Sequence, residues 1–261
     1  LLALQLIDNT RHLIKFIEVK SKQYNATVKV ARLVSRMFKK QSIVASNALK
    51  KNHRLREADN TSDELDTASR EYIKPIEQAL KETYLLSALA LDKQLNTGIS
   101  FDLKNPRAVK YFKNYGADLI KGINEETRSR IKTLIENGLE NGHSYDRIAK
   151  DMRSMFNDWS QLTSKERKAL RTRTQLIAIT EVGNAYQQGN IDLVRSAMDT
   201  GLAFEKSWLT VGDARVDPHC ASNEAQGWID VDEAFSSGVD RPLDHPGCRC
   251  SALYRRKVDN A

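Results

Sequence analysis

The residues best equipped for chemistry crowd toward the C-terminal end of the chain. All three cysteines, Cys220, Cys248 and Cys250, follow position 219, and the stretch DHPGCRC (244–250) sets His245 three residues before Cys248. A His-x-x-Cys step lets two side chains close on one zinc ion, and Asp217-x-x-Cys220 offers a second pair for a tetrahedral set. The metal candidates are therefore Asp217, Cys220, His245 and Cys248, with His219 or Cys250 as substitutes, and a structural zinc is the cofactor they would hold. Burial of cysteine as a small apolar side chain is the competing role. A disulfide fits poorly. On one strand, Cys248 and Cys250 would stand ~6.6 Å apart and point the same way, near the outer limit for bridging and with the wrong vectors. Pairing Cys220 with either leaves a third thiol, and such cysteine usage suits a reducing compartment. A catalytic thiol, Cys220 beside His219 or Cys248 near His245, lacks a glycine-rich loop to receive an oxyanion. GxGxxG, Walker A, HExxH and GxSxG patterns are all missing, so the expectation is a protein that is not an enzyme.

These side chains must be held by the elements around them. FEKSWLT (204–210) alternates Phe204, Lys206 and Trp208 against Glu205, Ser207 and Leu209 and reads as a strand. VGDARVDP reads as a turn, WIDVDEAF as a short strand or turn, and CRCSALYRRKV as a final strand. Residues 201–261 are thus expected to form a small α+β unit docked on a long helix. That helix opens on a capping box, Thr163 with Glu166, and runs to about Met198. Gly183 and Gly189 each weaken it by about 1 kcal/mol relative to alanine, which predicts close packing or a bend at both. Glu181 sits among Ile177, Ile179, Val182 and Ala185. It is expected either to be partly buried beside Arg173 or Arg249, or to reach solvent at the boundary.

Farther upstream the pattern is helical throughout. Asn105 suits an N-cap and Pro106 the first turn of a helix stopping near Gly116. A second helix is expected from Ala117 to Leu139, then an end signal at Gly142 and a new N-cap at Ser144. Ile148, Met152, Met155 and Phe156 mark the inner stripe of the helix that follows. All 12 glycines lie between Gly98 and Gly247. The first 97 residues carry apolar positions at helical spacing, with Pro75 as the one interruption and a polar stretch at 52–66 that reads as a loop or a solvated helix end. The expected fold is mainly α with a small α+β C-terminal unit. It divides into a helical basic arm (1–104), a helical part (105–200) and a unit holding the cysteines and histidines (201–261).

With 261 residues, 40% of them hydrophobic and 29% charged, the composition fits a soluble helical protein with long solvated faces. No apolar run approaches a membrane span, so no membrane partner is expected. The net charge of +7 is concentrated early: residues 11–57 hold thirteen Lys and Arg against two acids, a local +11. Such a stripe attracts polyanions by neutralising phosphates and releasing counterions, or serves simply as a solvated face. The candidate nucleic-acid contacts are Lys29, Arg32, Arg36, Lys39, Lys40, Lys50, Lys51, Arg54 and Arg56.

The series RTRTQLIAITEVGNAYQQGN, KSWLTVGDARVDPHC, DEAF and HPGCRC resembles the head morphogenesis domain of tailed-phage minor head proteins, the Mu F-like family. The preceding IENGLENGHSYDRIAKDMRSMF fits the same pattern, so the resemblance covers about Asn105 to Leu253. Thr180 and Glu181 match the family's helix signature, and Trp208, Asp213 and Arg215 its tryptophan strand and following turn. Cys220, His245, Cys248 and Cys250 match places where many relatives have cysteine and histidine, whereas Asp217 stands where relatives have cysteine. The segment after Cys220, ASNEAQGW, also departs from the usual glycine-rich one. The resemblance implies a structural virion component inside the capsid near the portal vertex, assembled in the host cytoplasm. Its implied partners are the portal protein, the major capsid or scaffold protein, packaged double-stranded DNA and sibling copies. The alternative is a nuclease or transferase acting on DNA or NAD, which needs a cleft joining Glu181, Arg215 and the C-terminal His and Cys residues.

Overall fold

Amphipathic spacing without a glycine makes the first stretch helical over great length. The computed structural model describes residues 2–51, 61–161 and 172–257. In it, α1 (Leu2–Lys51) is one helix of 50 residues and α2 (Thr61–Leu95) another of 35. Pro75 lies inside α2 without ending it. Within the polar stretch, 61–66 form the start of α2, as a solvated helix end would; 52–60 lie outside the described residues. Asn105 caps α3 (Pro106–Glu140), its Oδ1 accepting from the Arg107 amide at 2.9 Å. The stop expected at Gly116 does not occur, and α3 runs through it. One interior glycine costs about 1 kcal/mol, less than burial of the Ile123, Ile131 and Ile135 face contributes beyond it. At the far end Gly142, at φ +68°, takes the left-handed position, and His143 N–H donates back to the Gly138 carbonyl at 2.8 Å. Ser144 then caps α4 (Tyr145–Ser160). The next helix, α5 (Arg173–Met198), follows 162–171, so the Thr163–Glu166 box lies outside the described residues.

The C-terminal elements are β1 (Phe204–Leu209), α6 (Pro218–Ala225), β2 (Trp228–Asp230) and β3 (Ser251–Arg256). The strands form an antiparallel sheet in the order β2-β1-β3, with Lys206 opposite Ile229 on one side and Tyr254 on the other. Alternation along β1 puts Phe204, Lys206 and Trp208 on the buried face. Lys206 is accommodated there because its ammonium donates to the Asp240 carbonyl at 2.7 Å and lies 5.0 Å from the centre of the Phe235 ring. The fold is mainly helical with one small sheet, as the sequence predicts. No described helix is long and apolar enough to cross a membrane.

The chain gathers into two compact units, neither continuous in sequence nor bounded at 104 or 200. One comprises Val30–Gln78 and Lys110–Ala178. Its core includes Val34, Phe38, Leu65, Ile76, Ile148 and Phe156. Phe38, Phe156 and Trp159 pack with ring centres 5.2–6.5 Å apart, and the Arg173 guanidinium caps Trp159 at 4.5 Å. A polar layer fixes the register of three helices there. Gln41 Nε2 donates to Ser69 Oγ and Asn124 Oδ1 at 2.8 and 2.9 Å, and Asn124 Nδ2 donates to Asp66 at 2.6 Å.

The other unit comprises Leu1–Lys29, Ala79–Val109 and Ile179–Ala261. Here α2 and α5 touch backbone to backbone at Gly189. A Cβ at that position would lie 2.2 Å from the Tyr84 carbonyl oxygen, and Ser87 Oγ donates to the Tyr186 carbonyl at 2.8 Å. Tyr84 Oη donates to Asp192 at 2.7 Å beside this crossing. Gly183 makes the same allowance for Leu243, whose Cδ1 would sit 2.9 Å from a Cβ. Close packing rather than a bend accounts for both glycines.

Candidate functional site

The cysteines meet beneath the sheet. Asp217 and Pro218 start α6 in the way these residue types favour: the carboxylate of Asp217 accepts from the His219 amide at 2.9 Å, and Pro218 occupies the first turn. Cys220 then falls in that turn facing inward. From the other side comes 244–250, whose backbone reverses with the Cys248 amide donating to the His245 carbonyl at 3.1 Å. Gly247 sits at φ +75°, where a side chain would be strained. Its amide donates to Thr180 Oγ1 on α5 at 2.9 Å, so Thr180 pins the turn. Cys248 and Cys250 point inward, while Arg249 between them points out to Asp213 and pairs with both carboxylate oxygens at 2.6 and 2.7 Å. That fork holds the Asp213 carboxyl well below the usual range.

The three thiols are buried, and their sulfur atoms all lie within 4.8 Å of one another. Cys220 Sγ stands 3.7 Å from Cys248 Sγ and 3.6 Å from His245 Nε2. The cluster is walled by Trp208, Ile229 and Phe235, with Val216, Val239 and Leu243 partly covering it. Trp208 and Phe235 meet edge to face at 5.0 Å. Within it, the Cys250 thiol donates toward Cys248 and lowers the Cys248 pKa, while burial pushes the Cys220 thiol up. Three soft donors closing on one point in a buried cluster are able to hold a metal ion.

The candidate ligands separate cleanly. Cys220, Cys248 and Cys250 converge, and His245 reaches Cys220. Asp217, expected among the ligands, instead spends its carboxylate on the α6 cap, and the converging trio includes Cys250 in its stead. His219 is turned to solvent, with Nδ1 3.9 Å from Asp244. Cys248 and Cys250 precede β3 rather than lying on it, because the strand begins at Ser251. Helix α6 escaped the sequence reading, which assigned no helix there; Asp217-Pro218 was the signal for its start.

Glu181 lies one residue from the Thr180 anchor, and burial raises its carboxyl to about 7. Arg249, an expected partner, is bound by Asp213. The basic face of α1 is only partly available. In one unit Lys29 is paired with Glu82 at 2.8 Å, and in the other Lys40 is paired with Glu71 at 2.5 Å. Arg32, Arg36 and Lys39 remain exposed at helical spacing and, among the described residues, make no ion pair. Lys50 and Lys51 end α1, and Arg54 and Arg56 lie outside the described residues.

Residues 129–253 match the family model described as Phage Mu protein F like protein. Comparison with curated proteins and with solved structures finds no match.

Proposed function

We propose, from the match of residues 129–253 to the Phage Mu protein F like family model, that this chain is a structural minor head protein of a tailed phage, bound beside the portal inside the capsid. The observation that carries the proposal is that match, which takes in α4, α5, the sheet and the cysteine cluster together. The geometry favours a structural role over a catalytic one. The thiols are buried against Trp208 and Phe235 instead of lining a cleft, and Arg249 is committed to Asp213. Helix α1 supplies a second function. Arg32, Arg36 and Lys39 recur along one exposed stripe of about 10 Å, placed to contact phosphates of packaged DNA without reading bases.

Co-production of the chain with the portal protein of its phage, followed by purification and imaging of assembled heads, tests this reading. The expected result is a stable complex and density for the chain inside the head at the portal vertex. A chain absent from heads, or found only on tails, refutes it.

A further inference from the structure

Two measured distances in the cysteine cluster coincide with those of a tetrahedral metal centre. With zinc–sulfur bonds of ~2.3 Å and zinc–nitrogen bonds of ~2.05 Å, two sulfurs at the tetrahedral angle stand ~3.8 Å apart, and a sulfur and a nitrogen ~3.6 Å. Cys220 Sγ is 3.7 Å from Cys248 Sγ and 3.6 Å from His245 Nε2. Cys250 completes the thiol trio within 4.8 Å. Thiols that only fill a core need no such spacing to an imidazole nitrogen.

The histidine is also presented in the right form. Its Nδ1 lies 3.1 Å from the Pro246 carbonyl, an atom that can only accept. The Nδ1 proton therefore points there, and the lone pair of Nε2 is left to face Cys220 Sγ at 3.6 Å, the arrangement a ligating histidine needs. Asp217 spends one carboxylate oxygen on the α6 amide and is not among the converging donors, and His219 is turned toward solvent. Net charge is manageable. Three thiolates and a neutral histidine around a divalent ion leave one negative charge, and Arg249 lies between two of the thiolates in sequence.

We infer that Cys220, His245, Cys248 and Cys250 form one tetrahedral site for a thiophilic divalent cation of the zinc class, and that Asp217 is the helix cap beside it and not a ligand. The ion would tie the first turn of α6 to the turn before β3, closing a loop of about thirty residues with no disulfide. It would act as a structural clasp, since all four positions around it are filled by protein. This inference goes beyond the head-protein role and stands or falls separately from it.

Cobalt(II) titration of the purified full-length chain, followed by visible and near-ultraviolet absorption, provides the test, with elemental analysis for zinc in parallel. One equivalent of cobalt should give tetrahedral d–d bands and sulfur-to-cobalt charge transfer, both abolished by one equivalent of zinc. Asp217→Asn should keep that stoichiometry and spectrum. Cys250→Ser should weaken affinity by more than the ~10–100-fold seen for second-shell changes. If Cys250→Ser does not fold, His245→Ala at the rim of the cluster tests the same set, and its cobalt spectrum should lose the histidine contribution. Absence of a one-equivalent cobalt spectrum in the folded wild-type chain overturns the inference. So does loss of the metal in Asp217→Asn matching that in His245→Ala.

Discussion

Replacing Gly189 by alanine puts the α2–α5 contact to a quantitative test. The added methyl would lie 2.2 Å from the Tyr84 carbonyl oxygen and 2.4 Å from Ser87 Oγ. Even a favourable carbon–oxygen approach needs ~3.3 Å, so the helices must separate by about 1 Å at this point. A helix carbonyl cannot swing aside as a side-chain end can. Overpacking of this kind costs about 1–3 kcal/mol. The shift also stretches the bonds from Ser87 to Tyr186 and from Tyr84 to Asp192, and losing either adds on the order of 1 kcal/mol. Alanine's better helix propensity returns about 1 kcal/mol. The net expectation is a loss of about 1–3 kcal/mol if one of those bonds is lost, dominated by overpacking. Gly122→Ala is the control, because a Cβ there meets no heavy atom within 4 Å. Propensity alone should then stabilise the chain, by up to ~1 kcal/mol. Urea unfolding of both variants should shift the midpoints in opposite directions. A Gly189→Ala midpoint at or above wild type would refute the claim of backbone contact.

Three further outcomes follow from other parts of the chain. Phe156→Ala removes one ring of the Phe38–Phe156–Trp159 cluster, buried to 1% exposure, and should cost about 3–5 kcal/mol in urea unfolding. A loss under 1 kcal/mol would mean the cluster is not a core. Glu181 has its folded pKa raised to about 7 by burial. Its protonated form therefore favours the fold fully below the unfolded value of ~4.3, and that contribution disappears as pH rises through about 7. Glu181→Gln should flatten the fall in stability between about pH 5 and pH 8; an unchanged pH slope would contradict the burial. On duplex DNA, changing Arg32, Arg36 and Lys39 together to Gln should lower the salt slope of binding by roughly 2–3. Lys40→Gln, already paired with Glu71, should change it less. Equal effects would show that the exposed stripe is not the contact.

What could be read from the sequence was local. Asn105 and Ser144 announced their helices because a cap is a contact across two or three residues, and the alternation of β1 showed which face is buried. Gly189 signalled a close approach by being out of place in a helix, although its partner, Tyr84, is far away in sequence. The reading failed where the answer depended on distant partners. Asp217-Pro218 carries a helix-cap signal, but nothing in DPHC tells that Cys250 rather than Asp217 converges with Cys220 and Cys248. The basic segment likewise looked uniform, because its pairing with α2 is set by packed helix register. Gly116 misled for the opposite reason: a local breaker was overruled by the apolar face of α3.

The bond between Tyr84 and Asp192 joins residues 108 apart in the chain. Ribosomes add about 5–20 residues per second, so the apolar face around Tyr84 must wait roughly 5–20 s for α5 to be made. During that interval Tyr84 can meet the Phe101 ring, 5.9 Å away in the finished unit, but not yet Asp192. The α2–α5 contact of this unit cannot form until α5 has left the ribosome. In a cell filling with sibling chains, that delay sets how long a sticky helix is open to the wrong neighbour.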